Sequence, residues 1–421
     1  MKILHTADWH LGKLLEGRSR LEEQKIVMEQ LVAMAEEGQA DMVCVAGDIF
    51  DNGHPSAGAE ALLYQTLKDL SNEGERLVVL IAGNHDQPSR LEAVIPLVRE
   101  HGILIYGTPR SKIESGQYGK FQIESLDEGV FSFEKGGEQA VVACVPYASE
   151  RTLNEVLYRD QEEDQERAVT YAQKMQELFA KRARWFSKDT INILMAHVFT
   201  LGCIKDGSEQ SLSLGNSYLL PMETFPEEAD YVALGHVHRP QKAVGSQGRI
   251  RYSGSPLPYR LQETTVAKEC LLVTLHPGQK PETEDLYFDN PKPIEKWVCG
   301  DYQAALEKCM ENQDRPCYVY LHIHTDSFIR EEQIKELKKY KEDILEVVPL
   351  FPSRDREEEK GNFLEKSFQE LFTEYYAERK GLEPEAELLE TLTEIIEKEK
   401  EYETDLDKDE RTEQLSGASG D

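Results

Sequence analysis

Five times along this chain a short, continuously apolar run ends in a tight group of Asp, His or Asn. The groups are Asp8-Trp9-His10, Gly47-Asp48-Ile49-Phe50-Asp51, Gly83-Asn84-His85-Asp86, Ala196-His197 and Gly235-His236-Val237-His238. Runs this short and this uniformly apolar mark strands buried on both faces. In open α/β sheets, the carboxyl edge of the strands is where sites are built. Five such ends on one edge converge in space, although they are spread over more than half of the sequence.

The spacing between the runs sets the fold class. Residues 2–6, 42–46 and 77–82 read as strands, with helical patterns at 20–37, 58–72 and 89–100 between and after them. Ser89 is the expected cap of the third helix, and Gly102 lies near its end. This alternation predicts an α/β sheet that is at least partly parallel. More strands are expected at 103–106, 130–133, 140–145, 191–196, 231–234 and 270–275. Their crowding with few helices between them predicts a second sheet packed on the first. The polar stretch 159–167 and the spaced apolar residues Tyr171, Met175, Leu178 and Phe179 predict a long surface helix or helix pair.

A composition shift near Asp289-Asn-Pro-Lys-Pro293 opens a small α/β module of strand, helix, strand, helix and strand, ending near 349. Beyond it, residues 354–421 hold 23 acidic and 10 basic side chains. Two amphipathic helices are expected there, carrying Leu364, Phe368, Leu371, Phe372 and Tyr375, then Leu388, Leu389, Leu392, Ile395 and Ile396. Residues 403–421 read as disordered. The expected domains are therefore 1–285, 290–352, a helical segment 353–402 and the acidic end 403–421.

The donor types narrow the chemistry. Imidazole, carboxylate and amide oxygen without thiolate suit Mn, Fe or Zn in a reactive site rather than structural zinc. The seven cysteines include no CxxC pair, which argues against both a zinc knuckle and a disulfide framework. Seven donors are too many for one ion and suit two that share a carboxylate. Two ions ~3.5–4 Å apart form the usual clamp for in-line displacement at phosphorus. No phosphate loop of the P-loop kind is present, so the chain is not itself an ATPase.

The five groups as they stand resemble the signature of the calcineurin-like metallophosphoesterases. The longer strings MKILHTADWHLGK, VAGDIFDNGHPS, IAGNHDQPSRL, MAHVFTLG and LGHVHRPQ are similar to the bacterial branch of the Mre-type nucleases within that family. The resemblance implies two packed β-sheets flanked by helices, a small α/β capping domain and a helical C-terminal tail. It implies one ion held by Asp8, His10, Asp48 and His238, and another by Asp48, Asn84, His197 and His236, with manganese the usual activator. His85 would act as general acid, with Asp86 orienting it. DNA would be the substrate, cut at double-stranded ends, hairpins or single strands in repair, recombination and replication. The tail would dock on the family's partner ATPase, SbcC, or else pack on this chain's own body; the helices at 58–72 and 89–100 read either as ordinary buried helices or, as the resemblance implies, as the elements that pair two copies into a homodimer within a heterotetramer. One departure is plain: some relatives carry a further His three residues after the bridging Asp, where this chain has Asp51. The nearby His54 does not inherit that role.

Weaker features stand beside these. Ser253 and Ser255 follow the last His pair and read either as substrate contacts or as a Gly/Pro turn. Arg90, Arg239 and Arg260 lie near the groups and are candidates for phosphate contact. His322-x-His324 lacks a partner carboxylate cluster and reads as structural. The chain opens with no signal-peptide pattern and contains no run of ~20 apolar residues, so a soluble cytoplasmic protein without a membrane role is expected.

With 48 Lys+Arg against 79 Asp+Glu, the formal charge is −31. That excludes a simple cationic DNA-binding module, but not a DNA enzyme whose ions reverse the local field. Two other readings use the same residues: a phosphatase or cyclic-nucleotide phosphodiesterase, and a non-catalytic adaptor on a hydrolase fold. The small module and the tail argue against the first, and the intact donor set against the second.

Overall fold

The computed structural model describes residues 1–157, 170–200 and 219–351, with isolated positions at 372–373, 376–377, 384 and 388–389. The expected surface stretch 159–167 and disordered end 403–421 lie outside the described residues. So does the helical segment 353–402, apart from the isolated positions, of which 372–373, 376–377 and 388–389 are helical. The chain divides into two compact units, Met1–Ile294 and Glu295–Asp421.

In the first unit the strands of the two large sheets, in chain order, are β1 Lys2–Thr6, β2 Met42–Ala46, β3 Leu77–Ile81, β4 Ile103–Tyr106, β5 Gly116–Tyr118, β6 Phe121–Asp127 and β7 Val130–Lys135. They continue as β8 Glu138–Val145, β9 Ile191–His197, β10 Tyr231–Gly235, β11 Gln241–Lys242, β12 Ile250–Tyr252, β13 Glu269–Thr274 and β14 Glu282–Tyr287. One sheet has the order β14-β13-β1-β2-β3-β4 and the other β11-β12-β10-β9-β8-β7-β6-β5. The centre of each is parallel, β1 through β4 in the first and β8, β9, β10 and β12 in the second. Parallel centres need cover on both faces, which is why their sequences are apolar without alternation.

The two faces nonetheless separate with the period of two that a strand imposes. Ile3, Cys44, Val79, Ile81, Val142, Cys144, Ile193, Met195 and Ala233 form the layer between the sheets. Their neighbours face outward. Leu4, Val43, Val45, Val78 and Leu80 meet α1 (Leu21–Glu37) and α2 (Ala57–Ser71) through Val27, Leu31, Leu63 and Leu67. Val141, Ala143, Leu194 and Val232 meet α3 (Tyr171–Ala183) through Met175, Leu178 and Phe179. The helices start where the sequence offers caps: Ser56 accepts from the Ala59 N–H at 3.2 Å, and Thr170 forms a capping box with Gln173.

A polar tie crosses the inter-sheet layer at His5. His5 of β1 meets the Tyr231 hydroxyl at 2.9 Å and donates from Nε2 to the Leu234 carbonyl at 3.1 Å. Burial pushes this imidazole down to about 3, so it stays neutral and crosses between the sheets as a hydrogen-bonded strut.

Two expectations need correction. The stretch 89–100 is not one helix. It breaks into Pro88–Glu92, Ile95–Val98 and a 3₁₀ turn, Arg99–His101, because Pro88 and Pro96 each open a new first turn. Ser89 therefore lies inside a helix, and Gln87 is its cap. Gly102 does end the stretch, in the left-handed conformation at φ 72°. The sequence reading also misses β5, β6, β11, β12 and β14, which are short or polar on their exposed face.

The second unit holds β15 Ile294–Cys299, α4 Tyr302–Glu311, β16 Tyr318–His324, α5 Glu331–Tyr340 and β17 Ile344–Leu350, with β16 central. Trp297, Ala305, Cys309, Val319, Leu321, Ile323 and Leu337 make its core. The six described cysteines are free and buried.

Phe131, fully buried between Tyr106 at 6.2 Å and Phe133 at 6.1 Å, sits in the inter-sheet layer. Phe131→Ala is expected to lower unfolding stability by about 3–5 kcal/mol, read by urea denaturation in the presence of chelator. A loss under about 1 kcal/mol would mean that the two sheets do not depend on this layer.

Candidate metal centre

The site is built by loops that leave the strands along one edge and cross each other. After β1 the chain does not turn away but runs alongside the end of β2. The Asp8 N–H donates to the Gly47 carbonyl at 2.9 Å, and the His10 N–H to that of Asp48 at 3.0 Å. Asp8, His10, Asp48 and His236 all adopt positive φ, at 54°, 44°, 50° and 102°. Asp and His tolerate this region better than most residues, yet each such residue is held at some cost in backbone energy. The strained turns aim four side chains at one point.

Close backbone approach completes the crossing. A Cβ on Gly83 would lie 2.1 Å from Asp48 Oδ1, and one on Gly235 would lie 1.8 Å from the Ala46 carbonyl oxygen. Any side chain at either position would push the strand ends apart.

The seven candidate ligands come together in two groups. Donor atoms of Asp8, His10 and His238 lie within 4.8 Å of one another, as do those of Asp48, His197 and His236. Asp48 stands between the groups, its Oδ2 being 3.6 Å from His10 Nε2 and 3.4 Å from His197 Nε2. Asn84 joins the second group, with Oδ1 3.0 Å from both His197 Nε2 and His236 Nδ1. Asp8, His10, Asp48, His197 and His238 are buried, whereas Asn84, His85 and His236 are partly exposed and form the mouth.

The outward nitrogens show which way the imidazoles are set. His197 Nδ1 donates to the Ala46 carbonyl at 2.9 Å. His238 Nδ1 faces Glu263 Oε1 at 3.1 Å. Their Nε2 atoms are thereby turned inward, and His238 Nε2 lies 3.0 Å from His10 Nε2. Two ring nitrogens hold that separation around a shared cation or proton. Asp8 is fixed by the His236 N–H, which donates to its two oxygens at 2.9 and 3.1 Å. Hard carboxylates and an amide oxygen mixed with borderline imidazoles fit a divalent transition ion.

Electrostatics describe the same pocket without its cations. Burial pushes Asp8 up to about 6 and His10 down to about 4. Burial and then the neighbouring His197 push His236 down to about 3. Burial also acts against charge on His197 and Asp48, but their mutual attraction outweighs it. His197 rises to about 9, and Asp48 stays well below the usual carboxylate range. The geometry agrees: with Nδ1–H on the Ala46 carbonyl, His197 can face the Asn84 oxygen only if Nε2 also carries a proton.

The remaining candidates fare differently. His85 sits at the mouth. Its N–H donates to Asp48 Oδ1 at 3.0 Å, and its Nδ1 to the Asp51 carbonyl at 2.8 Å. That leaves Nε2 free of intramolecular duty. Asp86 does not orient His85. Its oxygens accept from the N–H groups of Ile49, Phe50 and Gly83 at 3.0, 2.9 and 2.8 Å, so it clamps the loop that carries Asp48. Ser253 and Ser255 are fully buried. Ser255 donates to the Leu257 carbonyl and accepts from Lys268, so neither serine is placed to touch substrate. Arg90 pairs with Glu60 at 2.8 Å on the α2 side, half-exposed.

Two functional side chains escape the sequence reading. Buried Glu263 takes His238 Nδ1 on one oxygen, and Lys268 Nζ and the Tyr259 N–H on the other, each at 3.1 Å. Lys268 also donates to the His238 carbonyl at 2.9 Å. Such carboxylate–imidazole pairs fix ligand orientation and raise basicity. The available signal was a Glu and a Lys in a stretch otherwise facing solvent, which is no signal without the fold.

For His197 Nε2 to take an ion, its proton must leave. Affinity is therefore expected to rise with pH up to about 9, by at most tenfold per unit. Calorimetric titration of Mn2+ at pH 7.5 in buffers of different ionisation enthalpy should report about one proton released. Release of none would contradict the protonated His197–Asp48 pair.

Comparison with known proteins agrees with this geometry. The calcineurin-like phosphoesterase family model matches residues 1–240. A second model, described as the type 5 capsule protein repressor C-terminal domain, matches residues 290–380. The chain is 34% identical over 397 residues to the SbcD subunit of the SbcCD nuclease of Bacillus subtilis, covering 94% of this chain and 97% of that protein. It is 35% identical over 301 residues to the Rhodobacter capsulatus protein of the same name, covering 70% of each. The Escherichia coli K12 counterpart is 28% identical over 341 residues, 80% of this chain and 81% of the other. The chain belongs to the SbcD family of calcineurin-like phosphoesterases.

Proposed function

We propose that this chain is a metal-dependent DNA nuclease, the SbcD-type partner of an SbcC ATPase, acting in the cytoplasm in DNA repair, recombination and replication. The observation that carries the reading is the convergence of seven donors from five strand ends into two groups around Asp48, with His85 beside them at the mouth. In this reading one ion is held by Asp8, His10, Asp48 and His238, and the other by Asp48, Asn84, His197 and His236. Manganese is the proposed ion. Bound there, the pair supplies Lewis acidity that activates water and neutralises charge on the phosphoryl oxygens.

The chain's own groups do the rest. Asp48 keeps the two groups in register. Glu263 and Lys268 set the His238 ring. Asp86 holds the loop so that Asp48 and His85 keep their mutual geometry. His85, with Nδ1–H committed to a carbonyl, presents Nε2 to the scissile phosphate; a second proton taken up from water on Nε2 makes the imidazolium, which delivers that proton to the leaving oxygen and returns to the neutral Nδ1–H form. General acid catalysis of this kind contributes about 10²–10⁴-fold.

The proposed organisation assigns residues 1–285 to the nuclease domain and 290–352 to a capping domain. The helical segment 353–402 is proposed to dock on SbcC, ahead of an acidic end at 403–421. The helices near 58–72 and 89–100 are proposed to pair two copies within a heterotetramer.

The test compares linear duplex, hairpin DNA, bis-p-nitrophenyl phosphate and a phosphomonoester, with Mn2+ and with the ATPase partner present. DNA cleavage is expected, and His85→Ala should lower its kcat by at least about 100-fold with metal stoichiometry unchanged. Preference for the monoester would favour a phosphatase. Absence of cleavage, or equal rates for the wild type and His85→Ala, would overturn the nuclease reading.

A further inference from the structure

Three imidazoles of the centre turn one ring nitrogen away from it onto an acceptor. The outward nitrogens of His197, His238 and His85 meet the Ala46 carbonyl, the Glu263 carboxylate and the Asp51 carbonyl. His10 differs. Its Nδ1 is buried and makes no hydrogen bond among the described residues, but Asp51 Oδ1 lies 3.6 Å away. That gap exceeds a direct hydrogen bond by a few tenths of an ångström, a distance that a small rotation of the ring closes. The same carboxylate oxygen is held by Lys13 Nζ at 2.5 Å.

Asp51 thus reaches two parts of the site. Its side chain faces a candidate ligand, and its main-chain carbonyl grips the candidate acid. Its own N–H donates to the Leu11 carbonyl at 3.3 Å, and the Leu11 N–H donates to that of Ile49 at 2.9 Å. The 10–13 and 48–51 segments are laced together at this point. The donor atoms of His10, Asp51 and His85 also lie within 4.8 Å of one another, which would suit a further cation. Two observations oppose one: the Lys13 ammonium already sits on the carboxylate, and His85 Nδ1 is committed to a carbonyl.

We propose that Asp51 is a positioning residue that sets the tautomers of both histidines. Its carboxylate, steadied by Lys13, keeps the His10 proton on Nδ1 so that Nε2 presents a lone pair to the ion. Its carbonyl holds one proton of His85 on Nδ1, so that Nε2 is the nitrogen that takes up and hands over the transferred proton. Without the carboxylate, the His10 proton moves onto Nε2 and blocks the ligand position. The inference deepens the reading of His10 as ligand and His85 as acid, and rests on it.

The experiment reads the tautomers directly in the metal-free, full-length protein by long-range 15N–1H NMR of the imidazoles. His10 and His85 are assigned with His10→Gln and His85→Gln. In the wild type both are expected as the Nδ1–H form. Asp51→Leu keeps size and carbonyl but removes the acceptor. It should shift His10 toward Nε2–H while leaving His85 unchanged. Asp51→Asn, whose amide oxygen still accepts, should restore His10. In parallel, Mn2+ affinity measured by chelator competition should fall about 10–100-fold in Asp51→Leu and recover in Asp51→Asn. A His10 already in the Nε2–H form in the wild type, or unmoved by Asp51→Leu, would overturn the inference. So would loss of both tautomers together, which marks a collapsed loop rather than a lost acceptor. If the wild type binds no Mn2+, the metal reading fails, while the NMR result still decides what Asp51 does.

Discussion

Everything in the centre depends on how Asp48 is held. It is buried where two strand-end loops cross, with positive φ and with Gly83 packed against its carboxylate. Its Oδ1 accepts from the His85 N–H, and its Oδ2 faces imidazoles from both donor groups. A carboxylate in this position would be strongly destabilising if left alone. Here the protonated His197 balances it, and the three N–H groups gathered by Asp86 fix the loop beneath it. The positive-φ turns and the absent Cβ atoms nearby follow from bringing five strand ends onto one carboxylate.

Much of this is legible in the sequence for a physical reason. Parallel strands buried on both faces read as unbroken apolar runs, and their ends stand out where Asp, His and Asn follow directly. The seven donors, the two-sheet architecture and the small α/β unit all emerge from that pattern. What stays hidden depends on contacts between distant residues. Glu263 and Lys268 acquire meaning only when His238 is folded against them. Asp86 looks like a partner for its neighbour His85, yet its carboxylate finds three backbone N–H groups instead, because the tight turn leaves those donors otherwise unpaired. Ser253 and Ser255 look exposed in a Gly/Pro-rich string, but both are buried, and Ser255 is held by the buried Lys268. The stretch 89–100 reads as one helix because apolar spacing outweighs its prolines on paper, whereas Pro88 and Pro96 reset the backbone in three dimensions.

The net charge of −31 takes on a specific sense beside this geometry. Residues 354–421 carry 23 of the acidic groups against 10 basic ones, so they supply close to half of the excess. Part of the remainder is the centre itself, where Asp8 and Asp48 form a negative well that divalent ions reverse. A surface of this charge grips a polyanion weakly and in a salt-sensitive way. Ions at the centre, and a partner protein, are the natural sources of additional hold on DNA.

Anomalous scattering at the manganese edge, from crystals of the full-length protein equilibrated with Mn2+, tests the central arrangement most directly. Two peaks about 3.5–4 Å apart are predicted, with Asp48 contributing an oxygen to both, Glu263 still on His238, and His85 bound to neither. A single peak, or two peaks that do not share Asp48, would contradict it.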